Sequence, residues 1–518
     1  MNKIQLLWAD DEIDLLKPHI IFLTGKGYDV TTVTNGKDAL EETKKKSFDA
    51  ILLDENMPGI SGLETLTQIK AANPDAKVIM ITKSEEESIM EDAIGSKIDD
   101  YLIKPVNPNQ ILLSLKKTLD SKQLVSEKTT SNYLQEFRQI GMTIQDNLKF
   151  QEWSEIYKKL VFWELQLQES QDKSMEEILL SQKTEANNNF SKFIEKNYIK
   201  FFQKQDEDTP LMSNNLFKKK VFPLLDQPDP VFFILIDNLR YDQWKTIQPE
   251  LATIFNLQAE ETYMSILPTA THYCRNSIFS GLLPTEMEKK FPNLWQNEED
   301  EEGKNMHEEE FLQAQLQSNN RKDIKTSYTK ITTFDAGKAL VDNVNNLFKN
   351  KLNIIVYNFV DIISHARTEM NVIRELADDE AAYRSLTLSW FRHSPLFEVL
   401  QKIAEKKVKL VITTDHGSVR VHNPVKIIGD KNTNSNLRYK TAKNLAFDKT
   451  EAFEIKNPYE VSLPILHMSS TYAFCKNNDF FAYPNNYNYY ANYYRNTFQH
   501  GGISMEEMII PFIVMQSK

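Results

Sequence analysis

Four short apolar runs near the N-terminus each end at a side chain able to do chemistry, and this repetition constrains the fold more than any other feature. Ile4–Trp8 leads to Asp10, Asp11 and Glu12, Ala50–Leu53 to Asp54, Val78–Ile81 to Thr82, and Tyr101–Ile103 to Lys104 and Pro105. Asp29–Val33 is a weaker fifth run, and helical patterns fill the gaps at Asp14–Gly25, Lys37–Lys46 and Gly62–Ala72. Strand–helix alternation predicts an α/β domain over residues 1–120, doubly wound, with a parallel sheet between two helical layers. In such a sheet ligands bind beyond the carboxyl ends of the strands, so the acids, the hydroxyl and the lysine are expected in one crevice.

From about 121 to 205 Gly and Pro nearly vanish, and Ile156, Leu160, Trp163 and Leu167 mark one helix face. A helical bundle linker is expected, serving as a spacer or dimer contact. From 206 to 518 α/β alternation resumes. Val231–Ile236, Asn353–Phe359 and Lys409–Thr413 have the β-branched and aromatic density of buried parallel strands. The acidic stretches Glu298–Glu302 and Glu308–Glu310 read as a solvated insertion, and Lys218–Lys220 as a solvated stretch.

In the first crevice, Asp10, Asp11 and Asp54 crowd negative charge that a hard cation would relieve. Mg²⁺ suits, because it favours oxygen ligands and keeps waters for a phosphate donor. Asp54 can act as a carboxylate nucleophile toward a phosphoryl group, Lys104 can pair with its oxygens, and Thr82 can hydrogen-bond another. Pro105 after Lys104 suggests a cis peptide. The acidic pair, Asp54 in LLDENMPGISG, Thr82, Tyr101 and the Lys104–Pro105 pair together resemble the flavodoxin-like receiver domain of response regulators. The resemblance implies phosphorylation of Asp54 by a sensor histidine kinase. It also implies that Thr82 and Tyr101 act as switch residues that reorganise a dimerisation face.

The C-terminal region also places metal-capable groups at or beyond strand ends. Asp237 follows FFILI, Asp361 and His365 fall in NFVDIISH, Asp415 and His416 in VITTDHGS, and His500 in QHGG, while LPTATHYCRN carries Thr271, Arg275 and Asn276. Three carboxylates and three imidazoles suit divalent transition metals, zinc first. Two ions about 4 Å apart would form a clamp for phosphoester displacement. Coordination takes the pKa of bound water from about 15.7 to about 7, and a similar effect would make Thr271 a nucleophile without a histidine base. In this order the set resembles the alkaline phosphatase superfamily, and within it the PglZ domain, a larger α/β fold. The resemblance implies one Zn²⁺ on Asp237, Thr271, Asp415 and His416 and a second on Asp361, His365 and His500. Arg275 or Asn276 would then hold the phosphoryl oxygens. His272, His422 and His467 are expected in supporting or core positions, and Cys274 in packing. The Tyr-rich stretch from Tyr483 to Tyr494 reads either as a base-stacking surface or, preferred here, as the rim of a cleft.

Receiver, linker and PglZ domain together resemble PorX-type response regulators. That implies a zinc-dependent phosphodiesterase acting on nucleotides or oligonucleotides, homodimeric when phosphorylated, and controlling type IX secretion. A non-catalytic scaffold binding a sigma factor or a secretion-motor component is the alternative, and monoester or sulfate-ester hydrolysis lies within the same superfamily. The formal net charge of -12, from 61 basic and 73 acidic residues, argues against coating duplex DNA. Two cysteines rule out a disulfide framework. The acidic start argues against a signal peptide, and no apolar run nears the ~20 residues of a membrane span. A cytoplasmic setting is expected.

Overall fold

The computed structural model describes residues 4–83, 98–169, 173–204, 206, 208–297, 304–363, 379–430, 433–465, 467 and 469–518. His365 and the acidic run Glu298–Glu302 lie outside the described residues. The chain divides into two compact units, Met1–Asn132 and Tyr133–Lys518.

In the first unit the five apolar runs form β1 (Ile4–Ala9), β2 (Tyr28–Val33), β3 (Ala50–Asp54), β4 (Val78–Thr82) and β5 (Asp100–Ile103). They pair in parallel in the order β2-β1-β3-β4-β5. Side chains alternate across a strand, so consecutive residues feed different cores. Leu6, Trp8, Leu52, Ile79 and Ile81 pack with Leu23, Ile111 and Leu115 on one face. Leu7, Ala9, Ile51, Leu53 and Met80 pack with Ala39, Leu66 and Ile69 on the other. That is why β3 and β4 are buried along their whole length. The helix Gly62–Ala72 starts at a reciprocal cap, Ser61 receiving the Glu64 amide while the Glu64 carboxylate receives that of Ser61.

The second unit is built on a six-stranded sheet of β6 (Val231–Ile236), β7 (Phe255–Met264), β8 (Thr326–Ile331), β9 (Leu352–Tyr357), β10 (Lys409–Thr413) and, at the C-terminus, β11 (Ile509–Ser517). The order is β7-β11-β10-β6-β9-β8. β10, β6, β9 and β8 run parallel, while β11 is antiparallel to both of its neighbours. The helices Phe150–Glu169 and Lys173–Gln203 do not form a core of their own. Trp153, Leu160, Trp163, Phe190 and Tyr198 join the apolar core of this sheet. Between β10 and β11 the described residues make three small sheets, including the pair Val419–Arg420 with Phe498–Gln499. Among the described residues no helix is long and apolar enough to cross a membrane.

Candidate functional site

Parallel order brings the ends of β1, β3, β4 and β5 to one edge. Asp10 and Asp54 are buried there, Asp11 is exposed, and their carboxylate oxygens lie within 4.8 Å of one another. Lys104 Nζ sits 2.8 Å from Asp10 Oδ2 and 3.0 Å from Asp54 Oδ1. The Lys104–Pro105 peptide is cis, as expected. Burial pushes the Asp54 carboxyl up to about 6, Lys104 pulls it down, and Asp10 adds repulsion. Thr82 is fully buried and its side chain is hydrogen-bonded to Tyr101. Three carboxylates facing one lysine leave negative charge in excess, and an oxygen-only donor set fits Mg²⁺. A Cβ on Gly62 would run into the Asp54 carbonyl oxygen, so only glycine lets the next helix pass so close behind the acid.

The second site is assembled in the same way. Asp237 directly follows β6, Asp415 lies two residues beyond β10, and Asp361 four beyond β9. Thr271 opens the helix Thr271–Ser280, and His500 follows the strand Phe498–Gln499. Donor atoms of Asp237, Asp415 and His416 lie within 4.8 Å of one another. The Thr271 hydroxyl is 3.0 Å from His416 Nε2 and 3.5 Å from Asp237 Oδ1. The His416 and His500 rings stack at 4.2 Å. Each ring is held through Nδ1, against the Gly417 carbonyl at 3.1 Å and the Thr269 carbonyl at 3.0 Å. Each therefore turns Nε2 toward the acids, His416 to Asp237 at 3.7 Å and His500 to Asp361 at 3.9 Å. Carbonyl partners of this kind orient metal-binding imidazoles. Carboxylates and Nε2 atoms in one buried cluster fit divalent transition ions such as zinc. Thr271, expected to work without a histidine, has one at hydrogen-bond distance.

Arg275 and Asn276 are placed differently from the expectation. Arg275 is fully buried, with Nε 2.9 Å from Asp415 Oδ2 and Nη2 paired to Asp237. Its Nη1 donates to Asn358 Oδ1 at 3.4 Å and lies 3.9 Å from Glu308. The guanidinium thus spans two buried carboxylates of the cluster. Asn276 is also buried, and its amide donates to the Lys304 carbonyl at 2.9 Å. Helical geometry explains the split. Arg275 is i+4 from Thr271 and shares its face, whereas Asn276 at i+5 turns off it. Glu308, expected in a solvated run, is 1% exposed and pairs with Lys330 at 2.8 Å. Nothing in the acidic run marks which glutamate turns inward. Burial raises both clamped acids. Arg275, aided by His416, outweighs it at Asp415, held at about 2, whereas Asp237, facing two other carboxylates, is pushed well above the usual range. Asn238, in the left-handed region at φ 61°, was not foreseen. Its backbone N–H donates to Asp415 at 3.4 Å and its amide to Asp361 at 3.4 Å. His272 stacks on Trp295 at 4.4 Å, and Cys274 is buried with its thiol pushed up to about 12, both core positions.

Three family models match the chain in order. They are a response regulator receiver domain over residues 6–116, a PorX response regulator linker domain over 123–202, and a BREX system PglZ alkaline phosphatase-like domain over 216–515. Similar curated proteins include the transcriptional regulatory protein ZraR of Klebsiella oxytoca, 32% identical over 140 residues, covering 27% of this chain and 32% of ZraR. The transcriptional regulatory protein ResD of Bacillus subtilis is 32% identical over 120 residues, covering 23% of this chain and 49% of ResD. The match thus spans about a third to a half of these relatives' own length. Among solved structures, a CheY-like receiver domain protein from Methanospirillum hungatei is 27% identical, with a TM-score of 0.23, covering 23% of this chain and 95% of that one.

Proposed function

The chain belongs to the PglZ family, joined to a receiver in the domain order of a PorX-type two-component response regulator, and from that premise we propose that it hydrolyses phosphodiesters under aspartyl-phosphate control. Asp237, Thr271, Asp415 and His416 would hold one Zn²⁺, and Asp361, His500 and His365 the other. When bound, such ions supply Lewis-acid charge that lowers a hydroxyl's pKa and offsets charge on phosphoryl oxygens.

Thr271 Oγ1 attacks phosphorus in line. The Oγ1–P bond forms, the leaving alcohol departs with a proton, and water then cleaves the phosphothreonine. Thr271 lies at the N-terminal end of its helix, where backbone N–H groups and the helix dipole favour an anion. Nucleotide or short oligonucleotide diesters are the substrate class. A sensor histidine kinase is the phosphodonor for Asp54; Asp10, Asp11 and Asp54 would hold Mg²⁺, which would offset charge on the phosphoryl oxygens. Thr82, Tyr101 and Lys104 pass the change on, the phosphorylated form dimerises, and the output controls type IX secretion through a sigma factor or secretion component.

The observation that carries the reading is one hydroxyl within 3.5 Å of both an imidazole and a carboxylate of the buried cluster. Turnover of a bis-aryl phosphodiester with Zn²⁺ should fall by about 10³-fold or more in Thr271→Val. Unchanged turnover would remove Thr271 as nucleophile.

A further inference from the structure

The helix Tyr487–Tyr494 has two faces. Tyr487, Ala491 and Tyr494, at i, i+4 and i+7, turn inward. Ala491 is buried, and the two tyrosines pack against the small core around Val421 and Phe480. The outer face carries Tyr489 and Tyr490, 63% and 40% exposed, with Tyr493 beside them. Exposed rings in a cluster are the informative departure from a solvated helix face. Cations lie at the ends of the helix. Lys426 lies 5.0 Å over the Tyr487 ring, exposed Arg495 follows the helix, and Arg420 and Arg495 lie near half-buried His422 together with Glu380. The helix is tied to the metal-ligand segments. The Tyr487 hydroxyl donates to the Pro424 carbonyl at 2.9 Å, and the Asn496 backbone N–H to the Val421 carbonyl at 2.7 Å. The pair Val419–Arg420 with Phe498–Gln499 then joins the stretch after His416 to the one before His500. From Tyr494 to His500 six residues of chain reach at most about 20 Å.

We propose that this helix is a stacking platform for the bases of a single-stranded oligonucleotide whose backbone runs past Arg420 and Arg495 into the site of Thr271. The inference rests on the phosphodiester reading for its ligand class. Rings stack bases of any sequence and arginines follow phosphates, so the platform confers preference for strand length, not sequence.

The test uses the zinc-loaded, full-length Thr271→Val chain and a fluorescein-labelled oligothymidylate of about twelve nucleotides, within the usual site size of single-strand binders. Anisotropy gives the affinity. Tyr489→Ala with Tyr490→Ala should weaken binding by about tenfold to a hundredfold, and Tyr489→Phe with Tyr490→Phe should restore it. An abasic probe of equal length should bind weakly to all three chains. Equal affinity of the alanine and parent chains, or of the abasic and thymidylate probes, overturns the proposal. Failure of the nucleophile assignment shows separately, as anisotropy that decays with time because the probe is cut.

Discussion

The two acidic crevices solve one electrostatic problem with different cations. At the end of β1 and β3, Lys104 bridges Asp10 and Asp54 with a single ammonium that is 12% exposed. Beyond β6 and β10, Arg275 bridges Asp237 and Asp415 with a fully buried guanidinium that Asn358 and Glu308 also hold. An ammonium is a compact point charge on a flexible stem, able to swing from carboxylate to phosphoryl group. A guanidinium fork locked into two acids cannot swing without stranding both. On the function proposed above, the receiver crevice suits a covalent charge that comes and goes, and the second suits ligands that stay in place. Burial pushes Asp54 up to about 6 and Asp237 well above the usual range, while at Asp415 Arg275 outweighs burial and holds the acid at about 2.

Removing each cation in the metal-free full-length chain should separate the two most strongly. Arg275→Ala removes a fully buried guanidinium from between Asp237 and Asp415, leaves Asp415 without the cation that holds it ionised, and should cost about 3–5 kcal/mol in urea unfolding. Lys104→Ala should cost about 1.5–3 kcal/mol, because Asp54 can take up a proton. Equal losses would erase the distinction. Next come the glycines backing each site. A Cβ on Gly417 would meet the Glu506 carbonyl oxygen, and one on Gly62 the Asp54 carbonyl oxygen. Gly417→Ala and Gly62→Ala should each cost about 1–3 kcal/mol. The first should also lower zinc retention against a chelator, and the second phosphorylation by acetyl phosphate; the reverse pattern would undo the assignment of the sites. The smallest effect concerns pH. With Asp54 raised to about 6, protons compete for it below that pH, so calorimetry should find Mg²⁺ affinity falling by up to about tenfold per pH unit from 6 to 5 and level above 7. A flat profile would mean that Asp54 is not a ligand.

How much could be read without coordinates differs between the regions. Every apolar run of the receiver became a strand within a residue or two, because runs this short are bounded by helical patterns and pair side by side in one parallel sheet. Asp10, Asp54, Thr82 and Lys104 were legible because each directly follows such a run. Asp237 was legible for the same reason, and Asp415 and His416 because they lie two and three residues beyond such a run. The helices at 150–169 and 173–203 were foreseen as helices, but not as a wall of the larger core. An apolar stripe specifies that a face is buried and not what buries it. Charges there were equally silent: Glu164 pairs with Lys183 and with Arg384 at 2.6 Å, partners 19 and 220 residues away.

By itself, then, the sequence determined the elements, the edge at which chemistry collects, and the residue types suited to two kinds of cation, since periodicity and strand-end placement are local properties. Only the tertiary structure decided that Arg275 clamps Asp237 and Asp415, that Glu308 turns inward while its neighbours do not, and that a tyrosine helix is tied to the stretch before His500. Those outcomes depend on which distant groups must share one dry space, and a buried charge is set by its partners rather than by its neighbours in the chain.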